Sequence, residues 1–346
     1  MKSNSRTVVA ERLTAQGLSG PPLTDPVAVA ERLLAVQGQD PRGFRLAIRA
    51  RTEGLTVADV NRALSEERSL LVTWLNRGTL HLVRSEDYPL LQALTTPPLL
   101  ASSTRRLRQE GVSEAAADRA VGTIEKALAD EGPLTRVQLR ERLDAADLRT
   151  EGQALIHLFF LAAVRGIVVR GPMVGKQHAY VLVRDWLGTP QKVDREKALA
   201  ELARRYLVGH QPATDRDLAK WAGLPLRDAR AGLKAIGSEL EEEGDGLVSL
   251  SKRPASEKIP PPRLLGAFDP VLLGWTSREP ILGPHTNLVT RNGIFHPFAM
   301  VKGRAVAKWG MAGGKLTMDT LEPLLAKTAK ALDRDAAEVA RFLAAG

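Results

Sequence analysis

Residues 133–184 place two helices and a β-hairpin in immediate succession, and this succession restricts the fold more than any other feature of the chain. In GPLTRVQLRERL, Leu134, Val137, Leu139 and Leu143 fall near helical spacing, and Thr135 stands where an N-cap is needed. A polar link, DAADLRTEG, leads into QALIHLFFLAAVRG, a second helix that Gly166 ends in the C′ position. IVVRGPMVGKQHAYVLV then reads as two β-rich runs about a turn containing Gly and Pro. Helix, turn, helix and hairpin in this order predict a winged helix.

The pattern recurs in degenerate form on both sides. Downstream, ATDRDLAKWAGLPLRDARAGLKAI offers Thr214 as a cap, a helix ending at Gly223 and a second helix from about Leu226, with ELEEEGDGLVSLSK as a short wing. Upstream, DPVAVAERLLAVQ, DPRGFRLAIRAR and TVADVNRALSEER read as helices, and LLVTWLNRGTLHLVR as a hairpin turning at NRG. The Pro-rich stretch KRPASEKIPPPRLLG marks a linker, after which NLVTRNGIFHPFAMVKGRAVAKWG is β with turns at RNG and KG. The expected fold is α+β and helix-rich. Winged helices are expected over residues 6–100, 101–190 and 191–255, followed by a β-hairpin-rich segment and helical tail over 256–346.

Length and composition narrow the function. A chain of 346 residues exceeds one ordinary core, and 44% hydrophobic with 26% charged residues suits a soluble globular protein. No run approaches a membrane span and the polar start reads as no secretory signal, so the expected location is the cytoplasm. Cysteine is absent, which excludes disulfides, thiolate metal sites and a cysteine nucleophile. The six histidines are scattered without metal-ligand spacing, so neither a metal nor a cofactor is expected. A net charge of +9 and a pI near 9.9 favour a nucleic-acid partner, although an Arg-rich composition also follows from a GC-rich genome.

Several residues stand out as contacts for such a partner. Arg42, Arg45 and Arg49 share one face of the helix expected from Pro41 to Arg51, a stripe suited either to phosphates or to solvent. The wing RGPMVGKQHAYVLV offers Arg170, Lys176 and His178 at its tip. In WLNRGTLHLV, Arg77 occupies the turn, while Thr79 and His81 share a strand face that either meets solvent or lines a cleft. Arg278 and Arg291 complete the set, although Arg278 with Glu279 also reads as a surface ion pair, and Asp269 before Pro270 as a turn or cap. No P-loop, dinucleotide-binding or hydrolase nucleophile motif occurs. Pattern and composition alone therefore stop at a basic DNA-binding protein, and a non-catalytic regulator remains open.

VQGQD, taken with TWLNRGTLHLV, LLGAFDPVLLGW and GIFHPFAMVKGRAVAKWG, resembles the winged-helix DNA glycosylases of the AlkZ/YcaQ superfamily over most of the chain. The resemblance implies three winged helices forming a concave DNA-binding surface and a DNA-probing hairpin among the strands after residue 285. It also implies a catalytic Gln-x-Gln pair, here Gln37 and Gln39. The middle position, usually aliphatic in that superfamily, is Gly38.

On this reading the partner is double-stranded DNA carrying N7-alkylpurine lesions, and the protein acts as a monomer without an obligate protein partner. A neutral amide is no general base, but it both accepts and donates hydrogen bonds, so two of them can hold a water beside the anomeric carbon. A purine alkylated at N7 leaves as a neutral base, and the remaining work is positioning and electrostatic stabilisation. Asp40 either assists as an anion or caps the helix with Pro41 at its first position. No Lys stands beside the motif, which argues for a monofunctional enzyme without lyase activity.

Overall fold

The computed structural model describes residues 2–175, 177–189, 192–256, 258–313 and 315–344. The chain forms two compact units, one made of residues 1–60 with 196–346 and the other of residues 61–195. The first unit is therefore discontinuous, whereas the expected divisions were consecutive. The division expected at residues 100–101 falls inside the helix Pro97–Gln109, which runs unbroken through it because Pro97 and Pro98 occupy first-turn positions where a missing N–H is harmless. The fold class is α+β and helix-rich, and a helix pair followed by an antiparallel hairpin recurs three times along the chain.

In the second unit the succession over residues 133–184 takes the order read from sequence. Helix Arg136–Ala145 starts at a capping box in which Thr135 and Gln138 satisfy each other's backbone amides. Helix Ala154–Val164 follows, then the antiparallel strands Val168–Val174 and Gln177–Leu182. Four strands of this unit pair side by side in the order Thr79–Arg84, Leu70–Leu75, Val168–Val174, Gln177–Leu182, so two hairpins merge into one sheet. Strand Leu70–Leu75 is buried along its whole length. Its neighbour helix Ala154–Val164 buries Leu155, Leu158, Phe159 and Leu161, and Phe159 stacks on Tyr180 with ring centres 4.6 Å apart. Helices Pro97–Gln109 and Glu114–Glu131 pack against the same helix. An apolar helix enclosed in this way has little surface left to read a DNA groove.

In the first unit, helix Asp215–Ala222 begins at a second capping box, Thr214 with Asp217, and ends at Gly223 in the left-handed conformation. Helix Leu226–Ala235 and the short hairpin of Leu240–Glu242 with Val248–Leu250 follow as expected. The C-terminal strands form an antiparallel sheet in the order Arg263–Leu265, Phe298–Val301, Arg304–Ala312, Lys315–Thr320. Its first hairpin turns on Lys302 and Gly303, both at positive φ, the two-residue turn that matches strand twist. The expected C-terminal helices are one helix, Ala326–Ala344, and Asp319 and Thr320 belong to the strand before it. Among the described residues no helix is long and apolar enough to cross a membrane, and no group of three or more ligating side chains could hold a metal.

Candidate active site

The Gln-x-Gln motif sits in a short extended link between two capped helices of the first unit. Helix Pro26–Leu33 is capped by Asp25, whose side chain accepts from the Ala28 amide at 2.8 Å. It stops at Leu34, which adopts φ 62°, an uncommon conformation for a leucine, held by complete burial of the side chain. Val36–Gln37 is extended, and Gln37 is 7% exposed while Gln39 reaches the surface. The two amides thus do not both point into an apolar interior. Asp40 then caps helix Pro41–Arg49, its Oδ1 accepting from the amides of Arg42 and Gly43 at 2.8 Å each. The capping alternative for Asp40 therefore holds, with Pro41 at the first helical position.

The motif helix is fixed by contacts across more than two hundred residues of sequence. A Cβ on Gly43 would stand 2.3 Å from the carbonyl oxygen of Ala267, and one on Gly266 would stand 2.9 Å from the carbonyl oxygen of Gly43. Paired glycines thus let the segment LLGAFDP run directly against the helix. That approach delivers Asp269 to Arg51, and both side chains are 0% exposed. Arg51 uses all five donors: Nε to Gln16 O at 2.8 Å, Nη1 to Ala47 O and Asp269 Oδ2 at 2.9 and 3.0 Å, and Nη2 to Gln16 Oε1 and Asp269 Oδ1 at 2.9 Å each. Asp269 Oδ1 also accepts from the Val271 amide at 3.0 Å, so the expected cap is at once the counter-ion of the motif helix. Neither Arg51 nor this role of Asp269 was expected, because no local pattern links positions so far apart.

The arginine stripe does not survive as three exposed cations. Arg49 Nη1 donates to Asp335 Oδ2 at 3.0 Å and to Leu264 O at 3.3 Å, tying the helix to Ala326–Ala344. Arg45 is 8% exposed, donates to Pro41 O at 2.8 Å, and lies over Phe44 at 4.6 Å. Burial lowers its pKa to about 10, and it is no solvent-facing phosphate contact. Only Arg42 is exposed. Its Nη1 donates to Met311 O at 3.3 Å and its guanidinium lies 5.9 Å from the Trp309 ring, which brings the hairpin of residues 304–320 to the start of the motif helix.

The remaining expected contacts are dispersed. In the second unit, Arg77 occupies the turn at φ 54° and is partly exposed. His81 is 2% exposed with Nδ1 2.9 Å from Thr79 O, and burial reinforced by Arg77 lowers its pKa to about 3. It is a neutral interior residue, which corrects its assignment as a cleft-wall contact. Arg170 lies in the strand rather than at the wing tip, pairing with Val72 and covering Trp74 at 5.6 Å. His178 is half-buried against Gly171 O at 3.1 Å, and Lys176 lies outside the described residues. In the first unit, Arg278 donates to Leu272 O at 2.9 Å and covers Phe295 at 4.9 Å instead of forming a surface pair with Glu279. Arg291 is exposed in the turn closed by Thr290 and Ile294.

Comparison with known proteins places the whole chain beside one family. The family profile described as DNA glycosylase AlkZ-like matches residues 30–342. An interstrand DNA cross-link repair glycosylase of Streptomyces sahachiroi is 31% identical over 374 aligned residues, spanning 99% of this chain and 97% of that one. The solved structure of Streptomyces sahachiroi DNA glycosylase AlkZ superposes with a TM-score of 0.80 at 28% identity, over 97% of this chain and 96% of that chain.

Proposed function

Because the chain belongs to the DNA glycosylase AlkZ-like family, we propose that it hydrolyses the N-glycosidic bond of purines alkylated at N7 in duplex DNA, including bulky and crosslinked adducts. The observation that carries this reading is the placement of Gln37 and Gln39 in an extended link against a capped helix start, one amide buried and the other at the surface. The buried Gln37 is held by the fold and serves as the fixed acceptor for a water. Gln39 meets the incoming sugar and completes the water's orientation toward the anomeric carbon. Asp40 Oδ1 is engaged by two backbone amides, which favours a structural role over a share in the chemistry.

The substrate makes this modest apparatus sufficient. An N7-alkylated purine carries positive charge in its ring and departs neutral, so no general acid is required, and the oxocarbenium-like sugar is captured by water. The products are a neutral free base, an abasic site and the proton that the attacking water gives up to solvent, with no lyase step. The protein is read as a cytoplasmic monomer that acts alone on damaged DNA.

The test is release of base from duplexes bearing N7-methylguanine or a bulky N7 adduct, scored as abasic sites by alkaline cleavage. Gln37→Ala and Gln39→Ala should each slow single-turnover release at least about tenfold, or more than about 1.4 kcal/mol of transition-state stabilisation, with duplex affinity retained. Unchanged release in both variants removes the mechanism. A borohydride-trapped protein–DNA adduct in the wild type would instead mean Schiff-base lyase chemistry.

A further inference from the structure

In the second unit a cleft of about 520 Å³ opens between helices Pro97–Gln109 and Ala154–Val164. We propose that this cleft seats a backbone phosphate of the DNA substrate, with Arg105 and Arg106 supplying positive charge and Ser103 a neutral donor. The proposal rests on the glycosylase reading for its partner, but it concerns a site remote in sequence from the Gln-x-Gln motif and distinct from every contact expected above.

Three observations carry it. The first is uncompensated charge. Arg106 spends its donors on neutral groups, Nη1 to Gln109 Oε1 at 3.1 Å and Nε toward His157 Nε2 at 3.4 Å, and among the described residues Arg105 has no carboxylate partner. Many other arginines of this unit are paired: Arg84 with Asp87, Arg108 with Glu114, Arg142 with Glu131 and Arg165 with Asp118. Glu110, whose charge acts on His157, accepts from the Gln153 amide at 3.3 Å.

The second observation is an orphaned hydroxyl. Ser102 and Thr104 satisfy themselves on helix carbonyls, bonding Leu99 O at 2.8 Å and Leu100 O at 3.2 Å. Ser103, between them, is 2% exposed and lines the cleft, and its Oγ has no hydrogen-bond partner. A buried unsatisfied hydroxyl costs free energy in the free protein, and an anion arriving in the cleft supplies the missing acceptor.

The third is the position of Ala154–Val164. In a helix-turn-helix this is the element that enters the groove, yet here neighbouring helices pack against it and most of its apolar residues are buried. Ile156, His157 and Phe160 remain partly open, and the last two line this cleft. Contact with DNA therefore passes to the covering helix, whose arginines flank what is left of the recognition surface. A phosphodiester fits better than a base here, because the cleft offers two cations and a hydroxyl, while the acceptors of Gln109 and His157 are already engaged by Arg106.

The experiment compares wild type, Arg105→Ala/Arg106→Ala and Ser103→Ala for affinity to an undamaged duplex across a series of NaCl concentrations, with Arg119→Ala as an exposed control in the same unit. The double variant should bind more weakly, and its log Kd against log salt slope should be shallower by about 0.9, the value for one lost phosphate contact. The control should keep the wild-type slope. Ser103→Ala should lose affinity without losing thermal stability, since no hydrogen bond is broken in the free protein.

An unaltered slope in the double variant overturns the proposal. So does tight binding of inorganic phosphate alone that the double variant abolishes while its duplex affinity is unchanged, which would make this a site for small anions. If the slope falls but the wild type releases no base from any lesion, the phosphate site stands and the glycosylase reading fails.

Discussion

Replacing Asp269 by Asn tests how the helix that follows the Gln-x-Gln motif is held. The substitution keeps the side chain's shape and its cap on the Val271 amide but removes the negative charge and turns an NH₂ toward Arg51. Arg51 would then remain charged in a site where its side chain is 0% exposed, with one of its two bonds to position 269 replaced by a donor facing a donor. Breaking a buried ion pair by removing one partner costs about 3–5 kcal/mol, because the surviving charge keeps its desolvation penalty and loses its compensation. Against a typical total of about 5–15 kcal/mol this is a large fraction, and it corresponds to a fall in melting temperature of about 4–7 °C for a protein of this size. Urea and thermal denaturation of wild type, Asp269→Asn, Arg51→Met and the double variant would measure it. Each single variant should lose several kcal/mol, and the double should lose clearly less than their sum, since neither charge is then stranded. Single losses below about 1 kcal/mol, or strict additivity, would refute the claim that this pair anchors the motif helix.

Two further outcomes follow from buried geometry. Gly43→Ala should destabilise by about 1–3 kcal/mol and slow base release, since the added Cβ meets the Ala267 backbone oxygen at 2.3 Å and must displace either the helix or the facing segment; a variant as stable as wild type would contradict that contact. His81 and His210 are held neutral by burial, with pKa values lowered to about 3 from the ordinary 6.5, so only the unfolded chain takes up these protons between those values. Stability should therefore be full above about pH 6.5 and decline as pH falls toward 3, by about 1.4 kcal/mol per pH unit for each histidine. The stability gap between wild type and His210→Phe should narrow between pH 7 and pH 5, read from urea midpoints, and a constant gap would show that His210 does not titrate in this way.

Local signals carried much of the architecture. Thr135 and Thr214 announced helix starts because capping is settled within four residues, and NRG, KG and RNG announced turns because only a few residue types adopt positive φ. The motif itself was legible, as was its capped helix. Misjudged residues depended on distant partners. Periodicity put Arg42, Arg45 and Arg49 on one face correctly, but whether that face met water was decided by Asp335 and Leu264, more than two hundred positions away. His81 was read as lining a cleft because strand alternation cannot tell a solvent face from a second buried one. The Gly43–Gly266 approach left no trace beyond two glycines in separate segments.

The discontinuity of the first unit has a consequence for synthesis. The two glutamines emerge early, yet the aspartates that neutralise Arg51 and Arg49 are residues 269 and 335, translated only after the whole intervening unit. Any nascent chain ending before them carries the two glutamines ahead of a helix whose inner arginines still lack their counter-ions. The charge compensation that fixes the Gln-x-Gln segment is therefore completed only once Asp335 has been made.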